Sequence, residues 1–274
     1  MSKQIEVAPY DPQWPVMFEC ESKRIWEALG KNCVAVHHVG STSVPGLAAK
    51  PKIDIIAEVK DTANINTALE KAGYAAKGEF NIPFHCGFAK RESQANINLH
   101  VYEEGNPEVN LNLLFRDYLR NHRDALEEYA RLKLALVSQP SSHEKDGLLF
   151  RGYTLGKDEF IKKILQKTGF DGLCIRFCTH YHELEAAKKF RQRFFRDHAG
   201  ADPYAATFDD KDHLHFIFYQ GIDIIGYAHF QLRKNQSAAL RIFIIDGPEA
   251  LRSHFLVLCE RWLKRNEYHE LEML

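Results

Sequence analysis

Residues 37–56, HHVGSTSVPGLAAKPKIDII, combine two histidines, a hydroxyl run, two lysines and an aspartate between apolar stretches. These residue types suit phosphate chemistry. Gly40 allows a sharp bend and close approach of the backbone to a ligand. Ser41, Thr42 and Ser43 then offer hydroxyls and backbone amides to phosphate oxygens. Lys50 and Lys52 can neutralise charge. Asp54, on the next apolar run, can hold Mg²⁺ against the same phosphates, because Mg²⁺ commonly takes one or two carboxylates plus substrate oxygens. The plainer alternative is a connecting turn followed by an aspartate that caps or pairs.

The elements around this stretch come from its periodicity. Residues 18–29 repeat apolar positions at helical spacing, and 33–39 and 53–59 read as strands with the hydroxyl turn between them. A helix follows over 62–73, with Thr62 as its cap and Gly73 as its stop. The stretch 95–105 alternates as a strand, 115–138 reads as one long helix, and 156–169 as another. In the long helix, Arg116, Arg120 and Arg123 share a face. Such a face could clamp a phosphate or carboxylate, or be solvated and paired with acids such as Asp117 and Asp124; Arg120 and Arg123 read as solvated. After the turn-rich joint at 167–172 the pattern restarts. A strand spans 174–178, a helix 182–198, three strands 213–219, 224–232 and 239–245, and a last helix 248–265. This is a second α/β pattern, so two domains are expected, 1–169 and 173–274.

Composition narrows the class. The 274 residues are 45% hydrophobic and 27% charged, the profile of a globular chain. No apolar run resembles a signal peptide or approaches the ~20 residues of a bilayer span, so the cytoplasm is the expected location. Up to residue 170 there are 22 basic and 22 acidic residues, and after it 14 and 15. That balance argues against general nucleic-acid binding and leaves room for a small phosphorylated ligand. The six cysteines are scattered. Cys174 and Cys178 are the one close pair, and without a second pair at zinc spacing they read as core thiols.

The motif HHVGSTSVPGLAAKPKIDI closely resembles the signature of the bacterial GrpB family. YDPQW (10–14), FRDYL (115–119), EYARLK (128–133) and GYTLGKDEFI (152–161) resemble it as well, so the likeness covers nearly all of 5–169. The resemblance implies a nucleotidyltransferase-like fold, whose hallmark is a Gly-Ser pair followed by two acidic positions on the next strand. Gly40, Ser41 and Asp54 map onto that hallmark, and the FRDYL likeness makes Arg116 a ligand candidate. The second acidic position is Ile56, which weakens a two-metal mechanism. The family pattern also suggests His-Leu-His where this chain has Asn98 and His100. His100 is thereby an acid/base or metal-site residue, with Asp54 as its catalytic companion.

The second half resembles GNAT acyltransferases in the order of its elements, from the hairpin carrying Gly226 to the final YHELEML. Its active parts depart from that family. At the CoA pyrophosphate loop, 247–252 reads GPEALR, with Pro248 removing an amide and Ala250 and Arg252 at the glycine positions. Strand 239–245 carries no glutamate base, and the chain ends before the segment that usually supplies a tyrosine acid. The expectation is an α/β (α+β) protein: a nucleotidyltransferase-like N-terminal domain followed by a truncated GNAT-like α/β domain. Its function reads as a nucleotide-dependent transferase using a nucleoside triphosphate and Mg²⁺. The alternatives are a non-catalytic nucleotide- or CoA-binding sensor and, ranked last, an N-acetyltransferase. Acetyl-CoA, nucleic acid and membrane are not expected as partners. A homodimer through the second half is, because an unfinished sheet leaves an unpaired edge.

Overall fold

The structure, a computed structural model, describes residues 5–91, 96–146, 149–198 and 200–273. It divides into two compact units, Met1–Gly78 with His85–Phe170, and Glu79–Phe84 with Asp171–Leu274.

The first unit is built on β1 (Cys33–Val39), β2 (Ile53–Val59), β3 (Ala75–Gly78), β4 (Cys86–Arg91) and β5 (Asn96–Glu103). Their order in the sheet is β1-β2-β5-β4-β3, with β2 and β5 parallel and the other pairs antiparallel. Alternation along β2 divides its side chains between two faces. Ile53, Ile55, Ala57 and Val59 join Ile97, Leu99 and Val101 in a core with Trp14, Ile25 and Leu29 of α1 (Gln13–Leu29) and with Ile65 and Leu69 of α2 (Ile65–Lys71). Asp54, Ile56 and Glu58 fall on the opposite face by that alternation.

Two expected features of these helices differ. Thr62 does not cap α2, whose N-cap is Asn64; the Thr62 hydroxyl donates instead to Glu103 Oε1 at 3.2 Å. The expected long helix is two, α3 (Pro107–Asn121) and α4 (Arg123–Val137), because His122 leaves helical geometry at φ −129°, ψ 96°. Its ring stacks on Tyr118 with centroids 3.8 Å apart, and Nδ1 bonds the Tyr118 carbonyl at 2.8 Å. The start of α3 is set by Asn106, whose side chain accepts from Glu108 N, and by Pro107 in the first turn. Beyond α4, the short strands β6 (Lys145–Asp146) and β7 (Leu149–Phe150) pair, then α5 (Arg151–Leu155) leads to α6 (Asp158–Lys167). Leu119, Tyr129, Phe160 and Ile164 pack α3, α4 and α6 onto Val44 and Leu47 of the motif.

The second unit has the sheet order β12-β11-β10-β9-β8, from β8 (Leu173–Phe177), β9 (His213–Gln220), β10 (Asp223–Leu232), β11 (Ser237–Ile245) and β12 (Glu270–Glu272). Only β11 and β12 run parallel among these pairs. Helix α8 (Glu249–Arg265) places Phe255, Cys259 and Leu263 against Phe216, Phe218, Phe230 and Phe243. Phe84 belongs to the same core. Within this unit, Trp262 Nε1 donates to Glu79 Oε2 at 2.7 Å and Phe177 N donates to Asn81 O at 2.9 Å. Helix α7 (Tyr181–His198) packs over β10 and β11. Cys174 is buried and Cys178 lies just past β8; both are free thiols, and burial pushes Cys178 up to about 12. No helix among the described residues is long and apolar enough to cross a membrane.

Candidate functional site

Between β1 and β2 the hydroxyl run forms a single 3-10 turn, Ser41–Ser43. Gly40 enters it at φ 70°, ψ −174°, a conformation that only glycine adopts readily. A Cβ there would lie 2.7 Å from Asp54 Oδ2, so the missing side chain is what lets the carboxylate sit against the turn. Gly40→Ala is expected to cost about 1–3 kcal/mol in backbone strain and to displace Asp54. A thermal unfolding curve checks it; an unshifted midpoint would refute the tight seat.

The three hydroxyls have separate fates. Thr42 is buried: its Oγ1 donates to Lys52 O at 3.1 Å and shares a hydrogen bond with His38 Nε2 at 3.1 Å. Ser43 Oγ donates to Gly40 O at 2.6 Å. Both hold the turn together. Ser41 is partly exposed and hydrogen-bonds the Tyr129 hydroxyl. The turn is braced from α3: Arg116 donates to His38 O at 3.1 Å while chelating Asp117, and Arg120 donates to Ser43 O at 2.8 Å. Arg120 is exposed, as its spacing suggests, yet it also holds the turn, whereas Arg123 pairs with Glu127 on α4. The guanidinium of Arg116 holds the Asp117 carboxyl below its ordinary value.

Asp54 is partly exposed, and its Oδ1 lies 3.1 Å from Asn98 Nδ2 and 3.5 Å from Lys52 Nζ. Asn98 is in turn held by Arg91 at 2.9 Å. The parallel register puts Asn98 beside Asp54 and His100 beside Ile56. Ile56, at the second acidic position, is 1% exposed. Glu58, one step further, is already paired with His37 at 2.8 Å. His100 Nδ1 shares a 2.8 Å hydrogen bond with His85 Nε2, and burial outweighs the pull of Asp54 to lower the His100 pKa.

Three ammonium groups, those of Lys50, Lys52 and Lys157, gather near Asp54, and that of Lys133 lies near Lys157. Lys50 Nζ lies 3.9 Å and Lys157 Nζ 4.7 Å from the Tyr153 ring centroid. Burial, Lys157 and Lys52 push Lys50 down to about 8 against the attraction of Asp54. Burial lowers Lys157 too, with Lys52 adding to it and Asp54 and Asp158 opposing it. Lys133 Nζ donates to Ala48 O, and burial pushes it down to about 7. Each shift marks positive charge crowded together and partly removed from water. Lys133 and Lys157 were not read from the sequence. They are charged positions of helical segments remote from the motif, and only the packing of α4 and α6 brings them here.

Mg²⁺ requires an oxygen-rich donor set. Among the described residues, no group of three or more His, Cys, Asp or Glu side chains could hold a metal ion. Asp54 stands alone among amide and ammonium donors, so the residues present do not fit a resident Mg²⁺.

In the second unit, Pro248 precedes α8, and Arg252 folds back so that Nη1 donates to Phe243 O at 3.3 Å. The helix cations are paired, Arg193 with Asp246 and Arg196 with Asp197. Under α7, His213 Nδ1 and His229 Nε2 share a 2.8 Å hydrogen bond, as do His215 Nδ1 and the Tyr227 hydroxyl.

Sheet, hydroxyl turn and helical layer define the first unit as a mixed α/β unit with a cationic site at the mouth of its second strand. The chain belongs to the GrpB family, matching the description "GrpB protein" over residues 4–167. It is 38% identical over 164 residues to the UPF0157 protein YqkA of Bacillus subtilis, covering 58% of this chain and 46% of that one. The chain thus spans about half the length of that relative. A UPF0157 protein of Streptomyces coelicolor is 36% identical over 61% of this chain and 85% of its own. The crystal structure of GrpB from Enterococcus faecalis matches with a TM-score of 0.53 and 34% identity, over 60% of this chain and 96% of that one.

Proposed function

We propose that the first unit binds a phosphorylated, nucleotide-type ligand and acts as a nucleotidyltransferase-like, nucleotide-dependent transferase. The observation that carries this is the gathering of Ser41, Lys50, Lys52 and Lys157 around Asp54. Phosphate oxygens would take the Ser41 hydroxyl, the turn amides and the ammonium groups. Fixed positive charge in a partly desolvated site stabilises charge that develops during phosphoryl transfer. Asp54, against the turn at Gly40, is the group that would orient an acceptor hydroxyl.

A second reading, binding without turnover, is favoured by the buried Ile56 at the second acidic position. Acetyl transfer is not assigned to the second unit, because Pro248, Ala250 and Arg252 stand where the GNAT resemblance would put the loop for the CoA pyrophosphate. ATP at a hundredfold excess over Kd is expected to stabilise the native chain by about 2.7 kcal/mol, a rise of roughly 5–10 °C in Tm for a unit of this size. Ser41→Ala and Lys52→Met should reduce the rise, and Arg123→Ala should leave it intact. Absence of a shift with every nucleoside triphosphate would refute the reading. Binding with no conversion of the nucleotide, followed by mass spectrometry, would select the second reading over the first.

A further inference from the structure

We propose that this site takes phosphate on its ammonium groups alone, with Lys157 and Lys52 filling the place of a protein-held divalent metal. The inference rests on the reading of the first unit as a phosphate-binding unit, and it adds how the charge is met.

Three observations lead to it. The carboxylate that would anchor a metal is already engaged, with Asn98 at 3.1 Å and Lys52 at 3.5 Å on the same oxygen. Its missing companion is the buried Ile56, which offers no ligand atom. Lys157 stands over Tyr153 and, among the described residues, hydrogen-bonds to no acceptor. An ammonium group carries three donors. One held in a partly buried position without an acceptor is costly unless an anion completes it. With Lys50 against the same Tyr153 ring and Lys52 beside Asp54, positive charge exceeds negative before any ligand arrives. A divalent cation entering this group would meet ammonium repulsion; a phosphate would relieve it.

The two arrangements make opposite demands on Asp54. As a metal ligand it is essential. As a carboxylate among lysines it repels the incoming phosphate, and its neutralisation helps. Calorimetric titration of the whole chain with ATP and with inorganic tripolyphosphate, in EDTA and in excess Mg²⁺, separates them. We expect Kd in the two buffers to agree within about threefold. Lys157→Met and Lys52→Met are each expected to weaken binding in EDTA about tenfold or more, the loss of one charge-assisted hydrogen bond. Asp54→Asn should bind at least as tightly as the native chain. Its fold is checked by its melting curve. Binding that appears only with Mg²⁺, or is lost in Asp54→Asn with the fold intact, overturns this inference and leaves the proposed function standing. No binding of either probe in either buffer overturns both.

Discussion

Lowering the pH from 7 to 5 is expected to remove about 4 kcal/mol from the unfolding free energy of the second unit. The cause is the pair His215 and His229, both buried beneath α7. Burial, Arg191 and His213 hold His215 at about 4, against the Thr207 carbonyl and Asp202, which raise it. Burial, then His215, Arg191, His213 and Arg241, depress His229 to about 2. An unfolded chain protonates both near 6.5. Depressed folded-state values mean that the unfolded state binds more protons below that pH. The stabilisation is complete above 6.5 and falls as the pH drops, by about 1.4 kcal/mol per unit for each group. It stops falling for His215 near 4 and for His229 near 2. Hydrogen exchange read on peptides from β9 and β10 checks the slope. In His229→Phe about half of it should disappear; an unchanged slope would place the acid sensitivity elsewhere.

The second large effect is expected in the first unit. Glu21 of α1 and Lys90 of β4 pair at 2.8 Å with side chains 6% and 7% exposed, and the Tyr74 hydroxyl donates to the same carboxylate oxygen at 2.8 Å. Burial alone would raise the Glu21 pKa, yet the hydrogen bonds and charge of Lys90, with Tyr74 and Arg24, hold it below its ordinary value. Removing one partner leaves a buried charge uncompensated. Lys90→Met should therefore cost about 3–5 kcal/mol and lower Tm by roughly 10 °C. Glu21→Gln added to Lys90→Met should recover most of that loss, since the second change removes the stranded charge. A double-mutant cycle measures the coupling. Purely additive losses would contradict the pair.

These two pairs also mark where sequence reasoning stops. β1 and β2 lie at their expected limits, 33–39 and 53–59, because β-branched runs bounded by Gly, Pro and hydroxyl residues carry a local signal. β3, Ala-Ala-Lys-Gly, is exposed along its length and shows no alternation, and β4 turns Lys90 inward. Neither is legible from pattern. The break at His122 has no proline or glycine to announce it. Of the candidate site, Gly40, Ser41, Lys50, Lys52 and Asp54 can be grouped from the sequence because they lie within one short stretch. Tyr129, Lys133, Tyr153 and Lys157 were not, since a lysine on an amphipathic helix looks solvated until the helix is docked. Proximity along the chain was readable; convergence from distant segments was not.

Residues Glu79–Phe84 belong to the second unit although they lie between two strands of the first. As hereditary material, the second unit is therefore no cassette. Recombination at the joint near residue 170 would carry off its sheet and helices and leave behind Phe84, Asn81 and Glu79, the partners of its core, of Phe177 and of Trp262. Synthesis meets the same interleaving in time: Phe84 leaves the ribosome well before α8 and waits for it before its core closes.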